Sequence, residues 1–163
     1  MKVGIFMLNA SIKKGSFLTA FVTAVLLLFS SMISVNAEAA QTKGQKVVSY
    51  AQKYVGSPFK YGGTNPKQFD ASGYTQYVYR NAVNIKIPRT SADQYKVGKS
   101  VKLNELQPGD LVFYKTNGKS VSFVAIYIGG QKFIGATSDG VKIQSMNLSY
   151  WKEKYVGAKR VIK

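Results

Sequence analysis

The spacing of apolar residues changes once along this chain, and that change restricts the fold more than any other feature. Ahead of Pro108-Gly109-Asp110 the apolar side chains recur at helical spacing; beyond it they fall into short runs separated by turn dipeptides. Thr42-Lys43-Gly44-Gln45 has the spacing of a capping box, and Val47, Val48, Ala51, Tyr54 and Val55 follow on one helical stripe until Gly56 ends it. Pro58–Pro66 reads as a loop. Asp70 is a good N-cap for a second helix with Tyr74, Tyr77, Val78 and Asn81 on one side, and Thr90 or Ser91 caps a short third helix ending near Tyr95. After the junction come a short strand over Leu111–Tyr114, a hairpin signal at Asn117-Gly118, and a nearly unbroken apolar strand over Val121–Ile128. Gly129-Gly130 and Asp139-Gly140 turn the chain into strands at Lys132–Gly135 and Val141–Ser145. A short helical segment holds Trp151, and Tyr155–Val161 closes as a last strand. Helices first and an antiparallel sheet afterwards make an α+β domain.

The N-terminus points to export. Lys2, Lys13 and Lys14 precede an uncharged apolar run from Phe17 to Ile33, and Val35-Asn36-Ala37 has the small-x-small form that signal peptidase accepts. Residues 1–37 are therefore expected to be a signal peptide, 38–46 a short lead segment and 47–163 the folded domain. A retained anchor is the alternative, since the run is close to the roughly 17-residue minimum for crossing a bilayer.

Composition excludes several chemistries outright. The chain contains neither Cys nor His, so thiol nucleophiles, imidazole bases, disulfides and Cys/His metal sites are unavailable. The seven acidic residues are scattered, which leaves no expected metal site and no cofactor. With 23 basic residues in all, the segment after position 37 carries a net charge of about +13, a field that draws polyanions. For an exported protein those are anionic wall polymers. The lysines are spread along the chain rather than gathered in one run, which argues against nucleic acid as a partner.

Five stretches, in order, resemble the NlpC/P60 family of bacterial cell-wall cysteine endopeptidases. They are Tyr54–Gly63, Phe69-Asp70-Ala71-Ser72-Gly73-Tyr74, Pro88–Gln94, Leu106–Phe113 and Val121–Gly129. The resemblance runs from about Val47 to Val161 and implies a papain-like α+β fold, N-terminal helices followed by an antiparallel sheet. It also implies cleavage of a γ-D-glutamyl bond in peptidoglycan stem peptides by a cysteine, a histidine and a third polar residue. In such a site a helix N-terminus and an imidazole lower the thiol pKa to roughly 3.5–7.5, and the imidazole then protonates the leaving amine.

Carried onto this sequence, the machinery is missing. The family's Asp-Cys-Ser-Gly is Asp70-Ala71-Ser72-Gly73; its Ser-His-Val-Gly-Ile-Tyr is Ser122-Phe123-Val124-Ala125-Ile126-Tyr127; its Phe-Ile-His-Ala is Phe133-Ile134-Gly135-Ala136. The degenerate catalytic positions are thus Ala71, Phe123 and Gly135. Asp70 and Ser72 remain, and in the family they are associated with the free amino end of the stem peptide. Phe59 stands where a tyrosine is frequent and, with Tyr61, completes the expected binding set. The expectation is a secreted pseudoenzyme, monomeric and associated with peptidoglycan or anionic wall polymers. Alternatives are a regulatory or decoy partner of an active wall hydrolase, and a hydrolase using Ser72 or Thr75 with a base outside the family pattern.

Overall fold

The structure, a computed structural model, describes residues 41–163; the expected signal peptide over residues 1–37 lies outside the described residues. The first helix, α1 (Lys43–Gln52), opens with a reciprocal cap. Thr42 Oγ1 accepts from the Gln45 amide at 3.2 Å, and Gln45 Oε1 accepts from the Thr42 amide at 2.8 Å. The helix therefore starts inside the stretch expected to be lead, ahead of the boundary placed at 47. Gly44 belongs to the packed domain as well, since a Cβ there would lie 2.1 Å from the Pro108 carbonyl oxygen.

A two-stranded ribbon, β1 (Thr64–Asn65) with β2 (Gln68–Phe69), leads into α2 (Ala71–Val83). Asp70 caps α2 and Thr90 caps the short α3 (Ser91–Gln94), as the sequence suggests. Tyr74 and Val78 are fully buried on α2, whereas Asn81 on the same expected stripe is exposed and its side-chain amide instead donates to the Tyr77 carbonyl. Strand β3 (Lys99–Val101) and a 3₁₀ turn (Leu103–Glu105) follow, neither of which the apolar pattern announces. Both are short and largely exposed.

The remaining elements are β4 (Leu111–Tyr114), β5 (Phe123–Gly129), β6 (Lys132–Thr137), β7 (Gly140–Ser145), α4 (Ser149–Lys154) and β8 (Tyr155–Arg160). They form a six-stranded antiparallel sheet in the order β3-β8-β4-β5-β6-β7. The last strand inserts between β3 and β4. Arg160 on β8 holds that insertion: its guanidinium donates to both oxygens of Asp110, each at 2.7 Å, and to the Glu105 carbonyl at 3.0 Å. Helices α1 and α2 pack on each other and on β5, and α2 also meets β6. Tyr79 on α2 donates to the Gly109 carbonyl, tying the helical half to the turn where the sequence changes period. The architecture is the expected α+β fold.

Candidate functional site

One end of α2 opens into a groove of about 1040 Å³, and four of the expected site residues meet at the mouth and floor: Phe59, Tyr61, Asp70 and Ser72. Ala71 and Phe123 line the same groove, while Gly135 lies just behind it on β6. Local sequence explains the placement. Phe69 exchanges backbone hydrogen bonds with Pro58 and Lys60, which lays the aromatic loop beside the start of α2. The Asp70 amide then donates to the Gly63 carbonyl at 3.0 Å, and Gly73 permits this approach because a Cβ there would sit 2.1 Å from that same oxygen.

Asp70 is the electrostatic centre. Its carboxylate accepts from the Gly62 amide at 2.8 Å, the Gly73 amide at 2.7 Å, the Ser72 hydroxyl at 3.2 Å, and the Arg89 guanidinium at 3.0 and 2.6 Å. Burial pushes the carboxyl pKa up, but the Arg89 hydrogen bonds and charge and the two backbone amides outweigh it and hold the group below its ordinary value. Five hydrogen bonds fill the roughly four lone-pair sites of a carboxylate. An incoming ammonium could reach Asp70 only by displacing one of these partners. Ser72 is engaged too, since its Oγ accepts from Arg89 Nη1 at 2.9 Å while donating to Asp70.

Arg89 is a groove residue that the sequence did not single out. It lies within one of the family-like stretches, Pro88–Gln94, yet nothing local links it to a carboxylate nineteen positions away. Its side chain is 38% exposed, and three of its N–H groups are used by Asp70 and Ser72. The fork carries five donors, so two are not engaged by these partners. Lys142, Tyr150 and Trp151 also line the groove. Lys142 pairs with Asp139 at the rim.

The three degenerate positions are filled by packing rather than left open. Ala71 places a methyl group, 9% exposed, at the first residue of α2. The Phe123 ring lies 5.0 Å from Trp151 and 5.9 Å from both Tyr114 and Phe133, centroid to centroid. A Cβ at Gly135 would meet Ala125 Cβ at 2.9 Å and Phe123 Cζ at 3.1 Å. Ala125 stands where the family pattern has glycine, so the space a side chain at 135 would need is taken by the residues at 123 and 125.

The hydroxyls of Ser72 and Thr75 are each engaged in hydrogen bonds to groups that are not general bases. Ser72 donates to a carboxylate whose pKa is lowered, the opposite of what a general base requires. Thr75 is fully buried, with Oγ1 at 2.8 Å from Gln94 Oε1 and 3.0 Å from the Ser72 carbonyl oxygen. Among the described residues no three acidic side chains converge as metal ligands.

The sequence profile of the NlpC/P60 family matches residues 56–160. The gamma-DL-glutamyl hydrolase of Bacillus subtilis is 40% identical over 146 residues, which cover 85% of this chain and 35% of that protein. Murein DD-endopeptidase MepH of Escherichia coli is 38% identical over 136 residues, covering 77% of this chain and 50% of that protein. A solved structure of RipD from Mycobacterium tuberculosis, described as a non-catalytic NlpC/p60 domain protein adapted to peptidoglycan binding, superposes with a TM-score of 0.63 at 27% identity; the match covers 75% of this chain and 99% of that one. The chain thus spans between about a third and a half of the length of the two curated relatives.

Proposed function

The chain belongs to the NlpC/P60 family, and on that premise we propose that it is a secreted, catalytically silent member that associates with the bacterial cell wall. The groove beside Asp70 and Ser72 takes a peptidoglycan stem peptide. The dispersed lysines draw anionic wall polymers, and the protein acts as a monomer without nucleic acid. One observation carries the reading: a methyl group replaces the thiol at position 71 beside an intact Asp70–Ser72–Arg89 network. Groove and network persist while the groups that would do the chemistry are absent. The spare donors of Arg89 suit a carbonyl or carboxylate of the peptide, and Tyr61, 90% exposed at the rim, suits packing against its backbone.

The test is co-sedimentation of the purified protein with peptidoglycan sacculi, with mass spectrometry of the supernatant. Protein in the pellet and no released muropeptide is the expected result; γ-D-glutamyl cleavage products overturn the reading. Salt separates the two modes of binding, because exposed charges are screened beyond about 8 Å at physiological ionic strength. Retention through the lysines falls steeply as salt rises. Retention through the groove persists in salt and falls with Tyr61→Ala, a change at an exposed side chain that leaves the fold intact.

A further inference from the structure

A cleft of about 600 Å³, which shares no lining residue with the groove, is built from three segments: 85–88 after α2, 97–99 at the entry to β3, and 160–163 at the end of β8. The chain leaves α2 through Asn84, whose left-handed φ of 56° ends the helix. The aliphatic lining is Ile85, Ile87, Val97, Val161 and Ile162. Ile87 is buried and the other four are half-buried, so hydrocarbon surface stays open to solvent. The volume falls in the range of small-molecule sites.

The polar side chains of this cleft have one sign. Lys86, Lys99, Arg160 and Lys163 line it, and no acidic or neutral polar side chain does. The Arg160 guanidinium is already paired with Asp110. Lys86, Lys99 and Lys163 are exposed and have no carboxylate partner among the described residues, unlike Lys96, Lys102 and Lys142, each paired with an acid three residues away. The terminal carboxylate on Lys163 leaves these three ammonium groups in excess. Cations beside aliphatic, low-dielectric surface concentrate a field that draws an anion. A peptide would bring N–H and C=O groups against a lining with no neutral side chain to pair them, a cost that a hydrocarbon chain avoids. We propose that this cleft binds the acyl chain of an anionic lipid, the chain packing on Ile85, Val97, Val161 and Ile162 and the phosphate pairing with the ammonium groups of Lys86, Lys99 and Lys163.

The probes are dodecyl phosphate, decyl phosphate, dodecyl maltoside and inorganic phosphate, titrated into the full-length protein by calorimetry with the amphiphiles below their micellar concentrations. Dodecyl phosphate binds saturably at one site. Decyl phosphate binds about 15-fold more weakly, the ratio expected when two buried methylenes are removed. Dodecyl maltoside, which keeps the chain without the charge, binds at least about tenfold more weakly, the worth of a charge-assisted contact, and inorganic phosphate does not saturate. The Lys86→Gln/Lys99→Gln/Lys163→Gln variant, altered only at exposed side chains, loses at least about tenfold in affinity for dodecyl phosphate. Lys115→Gln/Lys119→Gln/Lys132→Gln removes the same charge from exposed positions outside the cleft and leaves that affinity unchanged. On binding, amide hydrogen exchange slows over residues 85–88, 97–99 and 160–163. The absence of saturable binding, equal affinity for the two alkyl phosphates, equal losses in the two triple variants, or protection at groove residues 59–62 instead overturns the proposal.

Discussion

Position 135 offers the sharpest test of how the degenerate site is built. Gly135→Ala adds one methyl group, which would lie 2.9 Å from Ala125 Cβ and 3.1 Å from Phe123 Cζ. The first contact cannot be relieved by a rotamer, because Ala125 has none. The second presses on a ring already held by Tyr114, Phe133 and Trp151. Overpacking of this kind costs about 1–3 kcal/mol. Ala125→Gly alone costs about 1–2 kcal/mol, from a lost buried methyl and the added backbone freedom of glycine. Combining the two removes the tighter clash and restores one methyl to the shared space, so the double variant loses about 1 kcal/mol or less. The coupling is then about 2 kcal/mol, well above the ~0.5 kcal/mol scatter of independent sites. Urea unfolding of the four proteins, followed by Trp151 fluorescence, measures it. Additive losses, or a Gly135→Ala variant as stable as the parent, would refute the account of residues 123, 125 and 135 as one packed unit. The result also governs reconstruction of a catalytic site, since Ala71→Cys/Phe123→His/Gly135→His needs Ala125→Gly to make room for the second imidazole.

Three other outcomes follow from the same contacts. Asp70 has a folded-state pKa below its unfolded value, so the stability it contributes is present above about pH 4 and is lost as pH falls through the folded pKa. Asp70→Asn should cost about 1–2 kcal/mol at pH 7, with the gap to the parent narrowing in urea melts taken near pH 3. Arg160→Ala leaves the Asp110 carboxylate, 2% exposed, with the Gln107 amide as its remaining partner; a loss of about 3–5 kcal/mol is expected, and adding Asp110→Asn should recover part of it in thermal melts. Gly44→Ala would ordinarily stabilise a helix by roughly 0.5–1 kcal/mol. Here its Cβ meets the Pro108 carbonyl oxygen at 2.1 Å, so calorimetry should show a loss of at least about 2 kcal/mol.

Much of the architecture was legible in the sequence because it depends on residues a few positions apart. The caps at Thr42, Asp70 and Thr90 are contacts over three residues, and their side chains announce them. Strands β4, β5 and β6 are filled by buried apolar runs, and turn dipeptides at Gly129-Gly130 and Asp139-Gly140 bound β6. The short β3 and the 3₁₀ turn escaped notice because their exposed residues carry no apolar period.

The sequence by itself also determined which chemistry is out of reach, since a chain without Cys or His has neither thiolate nor imidazole wherever it folds. What the tertiary structure alone decided is every relation across long separations. It set β8 between β3 and β4, brought Arg89 onto Asp70, and saturated the carboxylate that the sequence offered as a helix cap and the family resemblance as a ligand contact. It also showed that Gly135 is empty because Phe123 and Ala125 occupy its space. Local patterns record backbone preference and the burial of one face. Which side chains share a volume depends on how the faces meet, and a volume claimed by one residue is closed to another.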